Sequence, residues 1–149
     1  MATPRIRQLQ QKDRASWLRL RHCLWPDCAD HKHDLEMRQL LTSGGAVFGA
    51  EDGQAGLIGF AEVSVRQDHV DGASISPVPY LEAWFVEAPF RKQGIGRLLI
   101  DAVEQWAIGQ GYGELASDAE AENALSIRLH QRLGFSEIDR NVTFLKKLR

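Results

Sequence analysis

Two hydrophobic periodicities divide the chain. Apolar residues recur at three-and-four spacing in some stretches and alternate, or crowd together, in the stretches between. Arg5 to Leu9 alternates and predicts a short first strand. Asp13 stands at an N-cap position before Trp17, Leu18, Leu20 and Leu24, a helical pattern that stops at Trp25-Pro26. The run from Cys28 to Asp34 is polar and irregular. Leu35, Met37, Leu40 and Leu41 then predict a second helix, closed by Gly44-Gly45.

Ala46 to Ala50 and Leu57 to Val65 predict two strands joined over Glu51-Asp52-Gly53. Gln67 to Pro79 is loop-like, and Tyr80 to Val86 is a dense run of strand formers. Ile95, Leu98, Leu99, Ala102, Val103 and Trp106 share one helical face, which ends at Gly109 and Gly111. A short strand from Glu114 to Ser117 precedes a helix from Glu122 to Leu133. Phe135 to Arg140 and Val142 to Leu148 are expected as two closing strands. The order β-α-α-β-β-β-α-β-α-β-β predicts one α/β (α+β) domain over residues 1–149, with helices flanking a mixed, largely antiparallel central sheet.

Composition narrows the classes. The 149 residues are 44% hydrophobic and 26% charged, which suits one globular domain with a substantial core. No apolar run approaches membrane-spanning length and the N-terminus has no signal-peptide pattern, so a cytoplasmic location is expected. Cys23 and Cys28 are the only cysteines and are read as reduced thiols. Eighteen basic against twenty acidic residues argue against a nucleic-acid partner. That balance leaves room for a local anion site and a local cation site.

The anion candidate is FRKQGIGRLLI, Phe90 to Ile100. A strand, a basic glycine-containing loop and a helix N-terminus together suit a phosphate, because first-turn amides are unpaired and glycine lets oxygens approach. A solvated basic turn fits the same composition. No Gly-Lys-Ser/Thr follows Gly94, which excludes a Walker loop, and Leu99 stands where a Rossmann motif needs its third glycine.

Arg91-x-x-Gly94-x-Gly96, following a strand that ends in Phe85-Val86, resembles the acetyl-CoA diphosphate motif of the GCN5-related N-acetyltransferases (GNAT). Asn123, His130 and Leu133-Gly134-Phe135 extend the likeness along nearly the whole chain. The resemblance implies acetyl-CoA as co-substrate. Backbone groups of Trp84, Phe85 and Val86 would pair with pantetheine and polarise the thioester carbonyl. The diphosphate would lie on the amides of Lys92, Gln93, Gly94, Ile95, Gly96 and Arg97, with Asn123 near the thioester. A homodimer is expected from the resemblance alone.

LRHCLWPD, SPVPYLEAWFV and LASDA are similar to stretches of the aminoglycoside 6′-N-acetyltransferases. That subgroup implies an aminoglycoside amine as acceptor and no metal. The chemistry is compatible: the attacking amine must be unprotonated and the acceptor is polycationic. Glu82, inside an apolar strand, and Asp118, at a strand's end, are the candidate carboxylates for holding ammonium groups or removing a proton. Pairing of Glu82 with a structural arginine such as Arg66, and helix capping by Asp118, are the alternatives. His130 stands where the family often has tyrosine, and is a candidate acid for the departing thiolate or a packed core histidine.

Trp25 resembles a sugar-contacting tryptophan, with closure of the first helix as its other reading. His69 and Asp139 are further acceptor-contact candidates. Cys28, Asp30, His31, His33, Asp34 and Glu36 crowd one segment but match no structural zinc spacing, so a polar loop is expected there. Neither cysteine adjoins a candidate base, which favours direct transfer over a covalent route. Two rivals stand beside this reading: acetylation of a polyamine or protein amine, and a non-catalytic CoA-binding module.

Overall fold

The computed structural model describes residues 3–149. Its elements are β1 (Arg5–Gln8), a 3₁₀ turn (Gln11–Asp13), α1 (Arg14–Leu24), α2 (Asp30–Thr42), β2 (Ala46–Asp52), β3 (Gly56–Arg66) and β4 (Val78–Val86). A second 3₁₀ turn (Ala88–Phe90), α3 (Ile95–Gly109), β5 (Ala116–Ser117) and α4 (Ala124–Arg132) follow. The sheet runs β1-β2-β3-β4-β5, antiparallel except for the parallel pair β4–β5.

Alternation along the strands gives the sheet two apolar faces. Phe48, Ala61, Val63 and Leu81 meet Ile95, Leu99, Ile100 and Val103 of α3 on one face. Val47, Phe60 and Ala83 meet Trp17, Leu20, Met37 and Leu40 of α1 and α2 on the other. The predicted inner face of α2 is corrected here: Met37 and Leu40 are buried, but His33 joins them, while Leu35 and Leu41 are exposed. Asp13 is also spent differently from a simple cap. Its carboxylate takes Arg7 in two hydrogen bonds and the Gln10 amide at 2.8 Å.

Two irregularities shape the middle of the sheet. Register passes from Val63↔Leu81 to Glu62↔Ala83, which leaves Glu82 as an extra residue of β4. A bulge of this kind bends its strand and re-aims the side chain it carries. β5 then pairs with β4 only through Tyr80↔Ala116 and Leu81↔Ser117. From Glu82 to Val86, β4 has no strand partner on that edge.

The two closing strands expected over Phe135–Arg140 and Val142–Leu148 are not formed. Residues 135–149 carry no strand, and Val142, Phe144, Leu145 and Leu148 are 77–89% exposed. The composition is that of strands, but a strand needs an edge to pair with, and this arm meets none within its own chain. Leu125, expected on the inner side of α4, is likewise exposed, and no residue of that helix is fully buried.

Leu99 is 0% exposed at the centre of the α3 face. Leu99→Ala is expected to lower unfolding free energy by about 2–5 kcal/mol through lost transfer and a cavity, read by chemical denaturation. A loss below about 1 kcal/mol would mean that α3 does not anchor the sheet.

Candidate functional site

The glycine loop is built as an anion nest. Gly94 is the N-cap of α3 with φ +81°, and Lys92 holds a left-handed φ of +64° without being glycine. Such backbone costs roughly 1–3 kcal/mol and concentrates at functional sites. The arrangement leaves a run of amides unpaired: among the described residues the N–H groups of Lys92, Gln93, Gly94, Ile95, Gly96 and Arg97 meet no hydrogen-bond acceptor, and pairing resumes at Leu98 N–H to Gly94 O. The α3 dipole adds positive potential at the same point. Arg91, Lys92 and Arg97 are exposed around it.

This nest is fastened to the open edge of β4. Trp84 Nε1–H donates to Gly96 O at 3.0 Å, and a Cβ on Gly96 would press the indole at 3.2 Å. Arg91 Nε–H donates to Val86 O at 2.7 Å, with its guanidinium 5.5 Å from the Phe85 ring. The unpaired edge from Glu82 to Val86 and the unpaired amides from Lys92 to Arg97 are therefore consecutive. Together they suit an extended ligand that ends in phosphates.

Glu82 is not a free carboxylate. Its Oε2 accepts from Ser64 Oγ at 2.5 Å and Arg66 Nε at 2.9 Å, and its Oε1 accepts from Arg66 Nη2 at 2.7 Å. The pairing with Arg66, one of the two readings of the sequence, is thus the one present. Arg66 in turn lies 3.4 Å from the centre of the Tyr80 ring, and Tyr80 Oη donates to Asp118 Oδ2 at 2.6 Å. Burial, and then the bond to Asp118, raise the Tyr80 hydroxyl well above the ordinary tyrosine range. Asp118 caps no helix. Asn123 caps α4 instead, its Oδ1 accepting from Ser126 N–H at 3.1 Å.

His130 has a defined tautomer. Its Nδ1 is 2.7 Å from Ser126 O, a carbonyl that only accepts, so Nδ1 carries the proton. In the neutral ring Nε2 then accepts from Ser117 Oγ–H at 2.8 Å. The ring edges contact Trp84 and Phe135, with centroids 5.4 and 5.1 Å away. Neither Ser117 nor Tyr80 stood out in the sequence as a polar participant, although both adjoin candidate residues. Tyr80 counted there only as a strand former.

Arg66, His69, Tyr80, Asp118, His130 and Asp139 line one cleft of about 890 Å³. Its wall carries seven carboxylates, Asp71, Glu104, Glu114, Asp118, Glu120, Glu137 and Asp139, against the guanidiniums of Arg66 and Arg140. Such a wall favours cations. Glu82 lies behind it through Arg66 and Tyr80. Trp25 is not in this wall: it ends α1, packs on the α1–α2 core, stacks on His33 and lies under Arg21. The helix-closing reading of Trp25 is the one its contacts express in this chain.

Comparisons with known proteins follow the same lines. The model of the Acetyltransferase (GNAT) family matches residues 6–135. An aminoglycoside N(6′)-acetyltransferase type 1 of Stenotrophomonas maltophilia is 41% identical over 143 residues, 96% of this chain and 93% of its own length. One of Serratia marcescens is 42% identical over 134 residues, 89% of this chain and 92% of its own. Among solved structures, AAC(6′)-Iy in complex with the bisubstrate analogue CoA-S-monomethyl-acetylneamine superposes with a TM-score of 0.89 at 37% identity. That match covers 99% of this chain and 100% of the other.

Gly94→Val tests the nest. Nothing lies within 4 Å of a Cβ at Gly94, so the empty protein has space for the side chain, but φ +81° disfavours a branched residue. Affinity for CoA is expected to fall by about tenfold or more, roughly 1.4 kcal/mol, in calorimetric titration. Gly94→Asn, which tolerates left-handed backbone, is expected to be milder. Unaltered CoA affinity in Gly94→Val would place the diphosphate elsewhere.

Proposed function

The chain belongs to the Acetyltransferase (GNAT) family, and on that premise we propose that it transfers acetyl from acetyl-CoA to the 6′-amino group of aminoglycoside antibiotics, conferring resistance to them. The observation that carries the acceptor is the carboxylate excess of the cleft lined by Tyr80, β5, α4 and the chain that follows it. A polyamino sugar matches that wall in charge. The relatives named for the same activity, at about 40% identity over most of the chain, support the same reading.

In the proposed reaction both substrates bind before any bond changes. The diphosphate of acetyl-CoA meets the amides of Lys92 to Arg97, and pantetheine runs along Trp84 to Val86. The acceptor ammonium loses a proton, its nitrogen forms a bond to the thioester carbon, the carbon–sulfur bond breaks to release CoA thiolate, and the nitrogen gives up a second proton to solvent or to the thiolate as the amide forms. An N–H of β4 near Trp84 to Val86 stabilises the oxyanion. Asp118 is our candidate for holding the acceptor amine and receiving its proton, directly or through water. Glu82, bound to Ser64 and Arg66, contributes by fixing Arg66 under Tyr80, and Tyr80 under Asp118. His130 lacks a proton at Nε2 in its neutral form, so only its imidazolium could protonate the thiolate; with the neutral ring CoA leaves as the thiolate and takes its proton from solvent. Asn123, His69 and Asp139 keep their proposed roles at the periphery of the site. The proposed location is the cytoplasm. No helix among the described residues is long and apolar enough to cross a membrane.

The expected assembly is a homodimer, in which the apolar end of the arm after Thr143, beyond the cleft wall, lies on a second copy. Its support is the set of apolar side chains exposed on that arm, the free outer edge of β5 and the uncovered face of α4. Pairing strands across two copies would cover all three.

CoA release measured across kanamycin, tobramycin, spermidine and a lysine peptide tests the acceptor. Aminoglycosides are expected to be used most efficiently, and Asp118→Asn to lower kcat/KM for them by about tenfold or more with CoA affinity kept. Higher efficiency with spermidine would transfer the assignment to polyamines, and unchanged kinetics in the variant would remove Asp118 from the site. Light scattering is expected to give the mass of two chains, shifting to one in Phe144→Ser/Leu145→Ser. A single-chain mass for the unaltered protein would end the dimer proposal.

A further inference from the structure

The segment between α1 and α2 contains a cluster that the acetyl-transfer site does not use. Cys28 lies on the connecting turn, and His33 and Glu36 lie one helical turn apart on α2. Cys28 Sγ, a ring nitrogen of His33 and a carboxylate oxygen of Glu36 all fall within 4.8 Å of one another. On one tetrahedral zinc, with bonds of about 2.0–2.3 Å, two ligand atoms stand roughly 3.3–3.8 Å apart. Small side-chain rotations close that difference. Cys28 Sγ is otherwise held only by a weak contact to Ala29 O at 3.7 Å.

His33 is the second, independent observation. Its side chain is 0% exposed, and neither Nδ1 nor Nε2 has a hydrogen-bond partner. Buried polar groups without partners are rare and cost about 1–3 kcal/mol each. The ring is wedged between His22, with centroids 4.7 Å apart, and Trp25 at 6.4 Å. It is therefore held in place, with a ring nitrogen within 4.8 Å of both Cys28 Sγ and a Glu36 carboxylate oxygen.

We propose that Cys28, His33 and Glu36 form a three-ligand site for a borderline-soft divalent cation of the zinc class, with solvent in the fourth position. On binding, the Cys28 thiol releases its proton to solvent and the thiolate sulfur, the neutral imidazole nitrogen and one carboxylate oxygen each donate a lone pair to the ion. Thiolate and carboxylate balance its two charges. Arg21 is the nearby cation that opposes this. Its Nη2–H donates to Glu36 Oε1 at 3.2 Å and its Nη1–H to His33 O at 3.2 Å, while Glu62, 3.2 Å from its Nε, keeps it compensated when Glu36 turns to the ion. His22 is engaged by Asp30 at 2.7 Å and lies outside the ligand set. Glu36 is 41% exposed, which leaves a path for entry. The ion would fasten the Trp25–Cys28 turn to α2, and it takes no part in acetyl transfer.

Cobalt(II) titrated into tag-free, reduced protein tests the site, because a thiolate ligand produces an intense charge-transfer absorption. One equivalent is expected to develop the band, and zinc to displace it. Cys28→Ser is expected to abolish the band and Cys23→Ser, which removes the exposed second cysteine thiol, to leave it intact. Glu36→Gln, at a partly exposed position, is expected to raise the titration midpoint by about tenfold or more without unfolding the chain, checked by CoA binding. No band in the unaltered protein, a band that survives in Cys28→Ser, loss in Cys23→Ser, or an unchanged midpoint in Glu36→Gln each overturns the assignment.

Discussion

Everything at the acetyl-transfer site depends on β4 losing its neighbour halfway along. β5 accompanies it only at Tyr80 and Leu81, and Glu82 interrupts the pairing with β3 immediately afterwards. A strand edge inside a mixed sheet is normally closed by another strand, since open N–H and C=O groups invite pairing. Here the edge stays open where the α3 N-terminus, tied to it by Trp84 and Arg91, presents a second set of unpaired amides. Two incomplete hydrogen-bond ladders thus meet in one line of unpaired polar backbone, the line proposed here for the cofactor.

The bulge has a second effect. It turns Glu82 toward Ser64 and Arg66, so that a carboxylate in an apolar strand becomes the anchor of a relay: Arg66 under Tyr80, Tyr80 on Asp118. Two acids with the same expected role thereby differ in their partners. One is paired with a guanidinium and a hydroxyl. The other is held by a single hydroxyl at the wall of an acidic cleft, with the rest of its lone pairs available to a cation.

Most of the fold was legible because the periods are clean. The α3 stripe from Ile95 to Trp106 and the strand run Tyr80 to Val86 allow little else, and the glycine loop could be placed between them from spacing alone. The closing strands were legible as composition and not as structure: Val142 to Leu148 has strand residues, but whether a strand forms depends on an edge that lies outside its own sequence. Leu35 and Leu41 failed for another reason. The face of α2 is set by His33, a polar residue that periodicity counts as outside. At the site, Asp118 was proposed from its place at a strand's end and the Lys92–Arg97 amides from the family resemblance, whereas the state of Glu82 turned on Arg66, sixteen residues away and across a bulge. The Ser117–His130 contact joins two elements whose relative placement no local pattern encodes.

The left-handed loop from Lys92 to Gly94 has a consequence for the reaction's bearing on the cell. In the proposed binding mode a cradle of main-chain amides would meet only the diphosphate, and that group is common to acetyl-CoA and to free CoA. Bound this way, donor and spent product gain the same stabilisation from the loop, which is uniform binding and does nothing for the chemical step. The ratio of acetylated to free CoA, more than the total amount of either, then sets how much of the protein is poised to act. Antibiotic modification would rise and fall with the acetylation state of the cofactor pool.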